Sequence, residues 1–518
     1  MILNQWFQIL QLYQARYLWL GLICSLGTLC SGRFAIAQIV PDATLGSENS
    51  QINTGVTVPG GTGDRIEGGA LRGSHLFHSF REFNVNPGQR LYFNSPANVQ
   101  TIFSRVTGRN QSNINGILGV DGSANLFLLN PNGIMFGPNA QLDIRGSFLA
   151  TTAESFQFPG GLEFSSVTPQ GAPLLTVSVP IGLQYGPSAN GLIQNRGNLN
   201  VGQDLTLAAT NLDLQGQLRA GRDLTLQAQN RVQIRDTLTD PFLATSGRDL
   251  TIQGNQSVDI LALNHLTQTP FVSGGNTTLL SNNPVSADAH FSSGGNFAVK
   301  TLEGRPNHVL SLFDPVITAG GDYAIGNYTG ASLLVTAGGN ISFGDVAITA
   351  IDPAIDPNQP VFILNAGGNI TGTGTIRPDA PNIYASPVTN LLVSLTSGGT
   401  TNINQIITDG GDVNIQAQGE IRTGTINTSS ISGITPDAPS GSVILDAGGN
   451  IQTGDIQADA DSSDPSASTI KLNSRNGSIF LNYVIFDTSN TNPDGVAGQF
   501  FIDAARNIDI NDSYIYAK

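Results

Sequence analysis

Gly202–Asn211 reads GQDLTLAATN, Gly221–Asn230 reads GRDLTLQAQN and Gly247–Gln256 reads GRDLTIQGNQ. The copies start 19 and 26 residues apart, a spacing typical of stacked repeats. Within each copy apolar and polar residues alternate, so Leu224 and Leu226 are predicted to point inward and Thr225 outward. A single strand of this kind cannot bury its own face. Stacked coils about 4.8 Å apart can, because they form a continuous core and pair each backbone group with the coil above and below. Leu205, Leu224 and Leu250 are therefore expected at equivalent inward positions. Looser copies follow as SGGNTTL, SGGNFAV, AGGDYAI, AGGNISF, AGGNITG, DGGDVNI and AGGNIQT. At each corner Gly is expected to supply positive φ, and the Asp or Asn to hydrogen-bond its own local backbone. The predicted fold is all-β, a parallel β-solenoid.

Composition narrows the function. Only 12% of the 518 residues are charged and the net charge is −15, which leaves few cations to neutralise phosphates and argues against nucleic-acid binding. At the N-terminus, Arg16 precedes the apolar run YLWLGLICSLGTLC, and AIA at Ala35–Ala37 places small residues where signal peptidase acts. Cleavage is expected between Ala37 and Gln38, with a retained N-terminal anchor as the alternative. Both cysteines, Cys24 and Cys30, fall inside that segment. An exported chain without thiols suits passage through a second membrane as an unfolded thread, since it cannot be jammed by cross-links. Pro- and Asp-rich stretches at residues 351–360, from Thr375, from Ile434 and from Ala458 are expected to be extruded loops.

Before about Asn190 the texture differs, with GSHLFHSFREFNV, RLYFNSP, ANLFLLNPNGIMFG and GSFLATTA rich in aromatic residues and lacking the Gly-Gly corner. Asn130-Pro131-Asn132-Gly133 fits a type I turn. Yet LFLL before it and IMF after it are apolar on both strand faces, a pattern that requires cover on two sides.

These residues resemble the filamentous haemagglutinin N-terminal domain, the two-partner secretion domain. The resemblance spans residues 38–185 and rests on His75–Val85, Ala124–Ala153 and VPIGLQYG. It implies a right-handed parallel β-helix with an N-terminal cap, followed by a β-helix shaft at 186–518 after a signal peptide at 1–37. By the same resemblance, Asn130, Pro131, Asn132, Gly133 and Ile134 form part of a secretion signal read by the periplasmic domains of a dedicated outer-membrane transporter in a Gram-negative envelope. The family's upstream NPNL turn is replaced here by FNSPANV at Phe93–Val99. The implied product is a secreted or cell-surface, adhesin-like rod that could meet a cell-surface or carbohydrate receptor.

Other chemistries have weaker support. His75 and His78 in HLFH have no evident third ligand, and strand alternation puts them on opposite faces, so a metal site is not expected. GGTGDRIEGG at Gly60–Gly69 has Arg65 where a calcium β-roll repeat needs Asp, and reads as a loop or turn. The competing class is a polysaccharide lyase or hydrolase on the same scaffold, which would gather carboxylates with Arg or Lys on one face. Asp204, Asp223, Asp249, Asp322 and Asp412 instead fall at corners, while Asp352 and Asp356 read as solvated loop acids. No catalytic residue and no cofactor is expected.

Overall fold

The computed structural model describes residues 39–173, 182–186, 191–264, 268–313, 315–380, 385, 387–430, 440–459, 468–490 and 496–517. The expected cleavage residues Ala35, Ala37 and Gln38 lie outside this set, as do most of the stretches from Ile434 and Ala458. Apart from two three-residue 3-10 turns, at Gly46–Glu48 and Pro159–Gly161, the described elements are β-strands, and beyond the first coil nearly all pair in parallel. The chain is a parallel β-helix.

One column of side chains traces the coil. Leu76 lies beside Ile102, then Leu126, Phe148, Leu205, Leu224 and Leu250, each in parallel register with the next. It continues through Thr277, Phe297, Tyr323 and Ile341 to Ile370. Leu205, Leu224 and Leu250 have no exposed surface, whereas Thr225 between Leu224 and Leu226 is half-buried, as the alternation predicts. The coil crosses the expected boundary at residue 186 without a break in pairing, since Ile134–Phe136 pairs with Ile193–Asn195 and Phe148–Thr151 with Leu205–Ala208.

The corners differ from expectation in two ways. First, the shaft's paired glycines do not adopt positive φ, with the exception of Gly410 at φ 96°. They are required by proximity: a Cβ on Gly320 would sit 2.1 Å from the carbonyl oxygen of Gly294, and one on Gly294 would sit 2.2 Å from that of Gly274. Second, the corner Asp and Asn side chains bond to the next coil. Asp223 N–H donates to Asp204 Oδ1, Asp249 N–H to Asp223 Oδ1, and Asn276 N–H to Asp249 Oδ1, at 2.8 to 3.3 Å. The chain of bonds runs on through Asn296, Asp322, Asn340 and Asn369 to Thr400. Each rung satisfies a corner amide that strand pairing leaves orphaned. Asp412 serves another corner in the same manner, accepting from Ser442 N–H at 2.7 Å. Between rungs the chain is 18 to 31 residues long, a wider range than the first three copies suggest, because only the corners and strands are fixed.

The N-terminal end is capped. Ile39–Pro41 runs antiparallel to the strand His75–Phe83, and Ser50–Val58 and Gly61–Gly68 form an antiparallel hairpin. Gly61–Gly68 also lies parallel to Arg90–Asn94, which buries Ile66 and Val58 at the end of the core. GGTGDRIEGG is thus largely strand, and Arg65 pairs with Asp121 at 3.0 Å. The stretch from Thr375 also begins as strand, through Pro378. Asp352 is buried rather than solvated, with Oδ1 accepting from Ala354 N–H at 2.8 Å, while Asp356 receives Asn358 N–H.

Candidate functional site

LFLL is apolar on both faces because each face has a partner. Leu126 and Leu128 enter the main core, while Phe127 and Leu129 point outward. Outside the coil, Ser155–Phe158 pairs antiparallel with both Leu162–Ser165 and Gly182–Gln184, forming a small separate sheet. Its Phe156, Phe158 and Phe164 pack on the outward column Phe77, Phe103 and Phe127, with Phe103 5.3 Å from Phe127, Phe156 and Phe158. Offset and edge-on aromatic contacts of this kind add stabilisation beyond area burial.

Immediately after Leu129 the chain turns. Gly133 N–H donates to Asn130 O at 3.1 Å, the closure of a four-residue turn. Gly133 has φ +113° and its Cβ would lie 3.0 Å from Leu192 O, so glycine is needed here for conformation as well as space. Asn130 is fully buried, donating from Nδ2 to Asn110 O and Ser112 Oγ, both at 3.0 Å. Its Oδ1 receives Asn132 N–H at 3.0 Å, and Asn132 Nδ2 reaches Gly108 O at 2.9 Å. Together the two amides clamp the corner of the preceding coil. Of the five residues Asn130–Ile134, Asn130, Gly133 and Ile134 are buried; Asn132 is exposed and Pro131 half-buried. Asn132 and Asp are consequently not interchangeable: a carboxylate would lose the donor and face Gly108 O. At Phe93–Val99, in place of an NPNL turn, Val99 N–H closes onto Pro96 O at 2.9 Å.

Arg105, beside Leu129 in register, gives little sign of its role in the sequence TIFSRV; a lone cation in an apolar strand is the available signal. It is fully buried beneath the small sheet, with its guanidinium 4.1 Å from the centre of the Phe164 ring. It donates to Ser79 Oγ at 3.0 Å, Ser165 O at 2.8 Å, Thr44 Oγ1 at 2.8 Å and Gln170 O at 2.7 Å. Burial lowers its pKa to about 10, against the pull of Asp42. Burial also pushes the Asp42 carboxyl up, but hydrogen bonds from Thr107, Thr44 and Ser79 outweigh this and hold it below 3.8. One side chain thus joins the N-terminal segment, the first two coils and the outer sheet.

The two histidines of HLFH lie on opposite faces. His75 packs against outward Phe103, while His78 faces Phe93 inside, with Nδ1 3.1 Å from Ser50 Oγ. Burial lowers the His78 pKa to about 3. Among the described residues there is no group of three or more His, Cys, Asp or Glu that could hold a metal. The turn offers shape and hydrogen bonds.

No curated protein matches the chain. Among solved structures it is similar to the HMW1 secretion domain from Haemophilus influenzae, at 15% identity and a TM-score of 0.29, covering 88% of this chain and 100% of that one. It is also similar to the filamentous hemagglutinin secretion domain, at 17% identity and a TM-score of 0.29, covering 65% of this chain and 99% of that one. The TPS secretion domain family matches residues 37–299. With over half its length matched, the chain belongs to the TPS secretion domain family and is an exoprotein of a two-partner secretion system.

Proposed function

We propose that residues 38–185 are the part read during export, with Asn130, Pro131, Asn132, Gly133 and Ile134 contributing to the signal engaged by the periplasmic domains of the outer-membrane transporter. The chain reaches the periplasm by the general secretory route, loses residues 1–37, crosses the outer membrane as a thread and coils outside. The observation that carries this reading is the family match over residues 37–299. Burial of Asn130, Gly133 and Ile134 supports recognition before folding, because a folded coil presents little of the motif beyond Asn132 and Pro131. The absence of cysteine after Cys30 supports threading. Outside the cell the shaft acts as an adhesin-like binding surface with no catalytic role.

Pro131→Ala tests the signal without touching the amide clamp. The variant should refold in vitro with a loss of about 0.4 to 1 kcal/mol from added unfolded-chain entropy, yet accumulate in the periplasm and bind the transporter's periplasmic domains poorly. A variant that refolds, binds and is secreted like the parent removes the signal role.

A further inference from the structure

A hollow of about 510 Å³ opens on one outer face of the shaft, within the range of small-molecule sites. Its origin is in the register. Thr329 pairs with Ala347, and Ala347 with Arg377, so a methyl group sits between two larger outward side chains. One wall is His308, whose Nε2 is 3.1 Å from Thr329 Oγ1. The opposite wall is Gln405, whose Oε1 receives Thr375 Oγ1–H at 3.0 Å. Asp345 and Arg377 also line it. Asp345 uses Oδ1 as a corner rung, accepting Thr375 N–H at 2.9 Å. Arg377 is half-exposed and pairs with Asp379 at 2.8 Å.

We propose that this hollow binds one unit of an uncharged saccharide, the carboxylate of Asp345 accepting from sugar hydroxyls and Arg377, Gln405 and His308 completing the contacts over Ala347. The inference rests on the adhesin-like reading and gives it a ligand class. Planar amide, carboxylate and guanidinium groups offer pairs of acceptors or donors suited to adjacent hydroxyls. An anion is disfavoured, because Asp345 lies in the site and Arg377 is already paired with Asp379. An apolar ligand would strip water from the donors and acceptors these groups have left over, at a cost for each. Among the described residues Asp345 is the single carboxylate lining the hollow, whereas the usual hydrolysis of a glycosidic bond needs two flanking that bond. The site therefore holds a sugar without cleaving it.

The test uses the full secreted chain, with maltose, cellobiose, lactose and mannobiose as probes and inorganic phosphate and sialyllactose as charged controls, read by saturation-transfer NMR and titration. At least one neutral disaccharide should bind. Ala347→Trp, which fills the hollow from outside the core, should weaken that binding at least about tenfold. Asp345→Asn, which keeps the rung acceptor, should weaken it as well. Hydrogen-exchange protection of the shaft should be unchanged in both variants. Failure of all four disaccharides, tighter binding of either charged control, or unaltered affinity in Ala347→Trp would each overturn the proposal. Cell adhesion measured in parallel separates the two readings. Adhesion without saccharide binding refutes the hollow and leaves the adhesin-like reading standing, whereas saccharide binding blocked by Ala347→Trp without any adhesion does the reverse.

Discussion

At Leu76, Ile102 and Leu126 the next residue outward is Phe77, Phe103 and Phe127; at the same register positions further along, Leu205, Leu224 and Leu250 are followed by Thr206, Thr225 and Thr251. The interiors match and the exteriors do not. In the first region the outward aromatics are covered by a separate antiparallel sheet fastened by Arg105; in the second the outer face meets water, and order comes from side-chain rungs at the corners. A β-helix coil needs only its inner alternation to stack. An apolar outer face therefore signals an added layer, and that layer sets the first coils apart from those that follow.

The largest expected effect tests whether that added layer is energetically separate. Arg105→Ala would remove four hydrogen bonds from a charged donor, leaving buried Ser165 O without its partner, and should cost about 3 to 5 kcal/mol. Hydrogen exchange should show lost protection at Ser155–Phe158, Leu162–Ser165 and residues 42–48, with coils beyond residue 200 unchanged. Equal loss along the whole coil would erase the distinction. Gly320→Ala probes the other region. Its Cβ would press on Gly294 O at 2.1 Å, and overpacking of this kind costs about 1 to 3 kcal/mol. In a stack of nearest-neighbour coils the loss of protection should stay within the adjoining coils and leave the small sheet intact; protection lost throughout would contradict the rung picture.

A third test sharpens the comparison through pH, with no effect at neutral pH and one that grows only on acidification. His78 has a folded pKa near 3 against 6.5 unfolded. Above 6.5 both states are neutral and its contribution is complete. Below 6.5 the unfolded chain takes up a proton that the native state refuses, so stability falls by about 1.4 kcal/mol per pH unit until pH reaches about 3. His78→Leu should flatten that limb in urea titrations at stepped pH while leaving shaft protection as before. An unaltered slope would mean that the histidine is not buried neutral.

Much of the coil could be read from the sequence because alternation is a local pattern. Leu205, Leu224 and Leu250 carry their inward orientation in their neighbours, and the two-sided apolar character of LFLL announces a second cover. What supplies that cover could not be read, because Phe156 and Phe164 contact Phe103 and Phe77 across a long loop closure that no local period encodes. The corner was half legible. Gly and Asp or Asn recur visibly, yet whether a side chain bonds its own turn or the next coil depends on the stacking distance. NPNGI shows the same divide. The turn follows from Pro131 and Gly133, but the grip of Asn130 and Asn132 on Gly108, Asn110 and Ser112 exists only once the previous coil is in place.

The corner ladder separates a coil's address from its length. A rung asks only for a backbone amide at one corner and a side-chain oxygen at the same corner of the coil before, and whether 18 or 31 residues lie between them is immaterial to the bond. Loop closure adds little for each added residue. Foreign peptides grafted at residues 351–360, between Val346–Ala350 and Val361–Ala366, would accordingly be displayed at a fixed height on the stack with the neighbouring coils keeping their register, which makes the shaft a graduated scaffold for presenting epitopes in a chosen order.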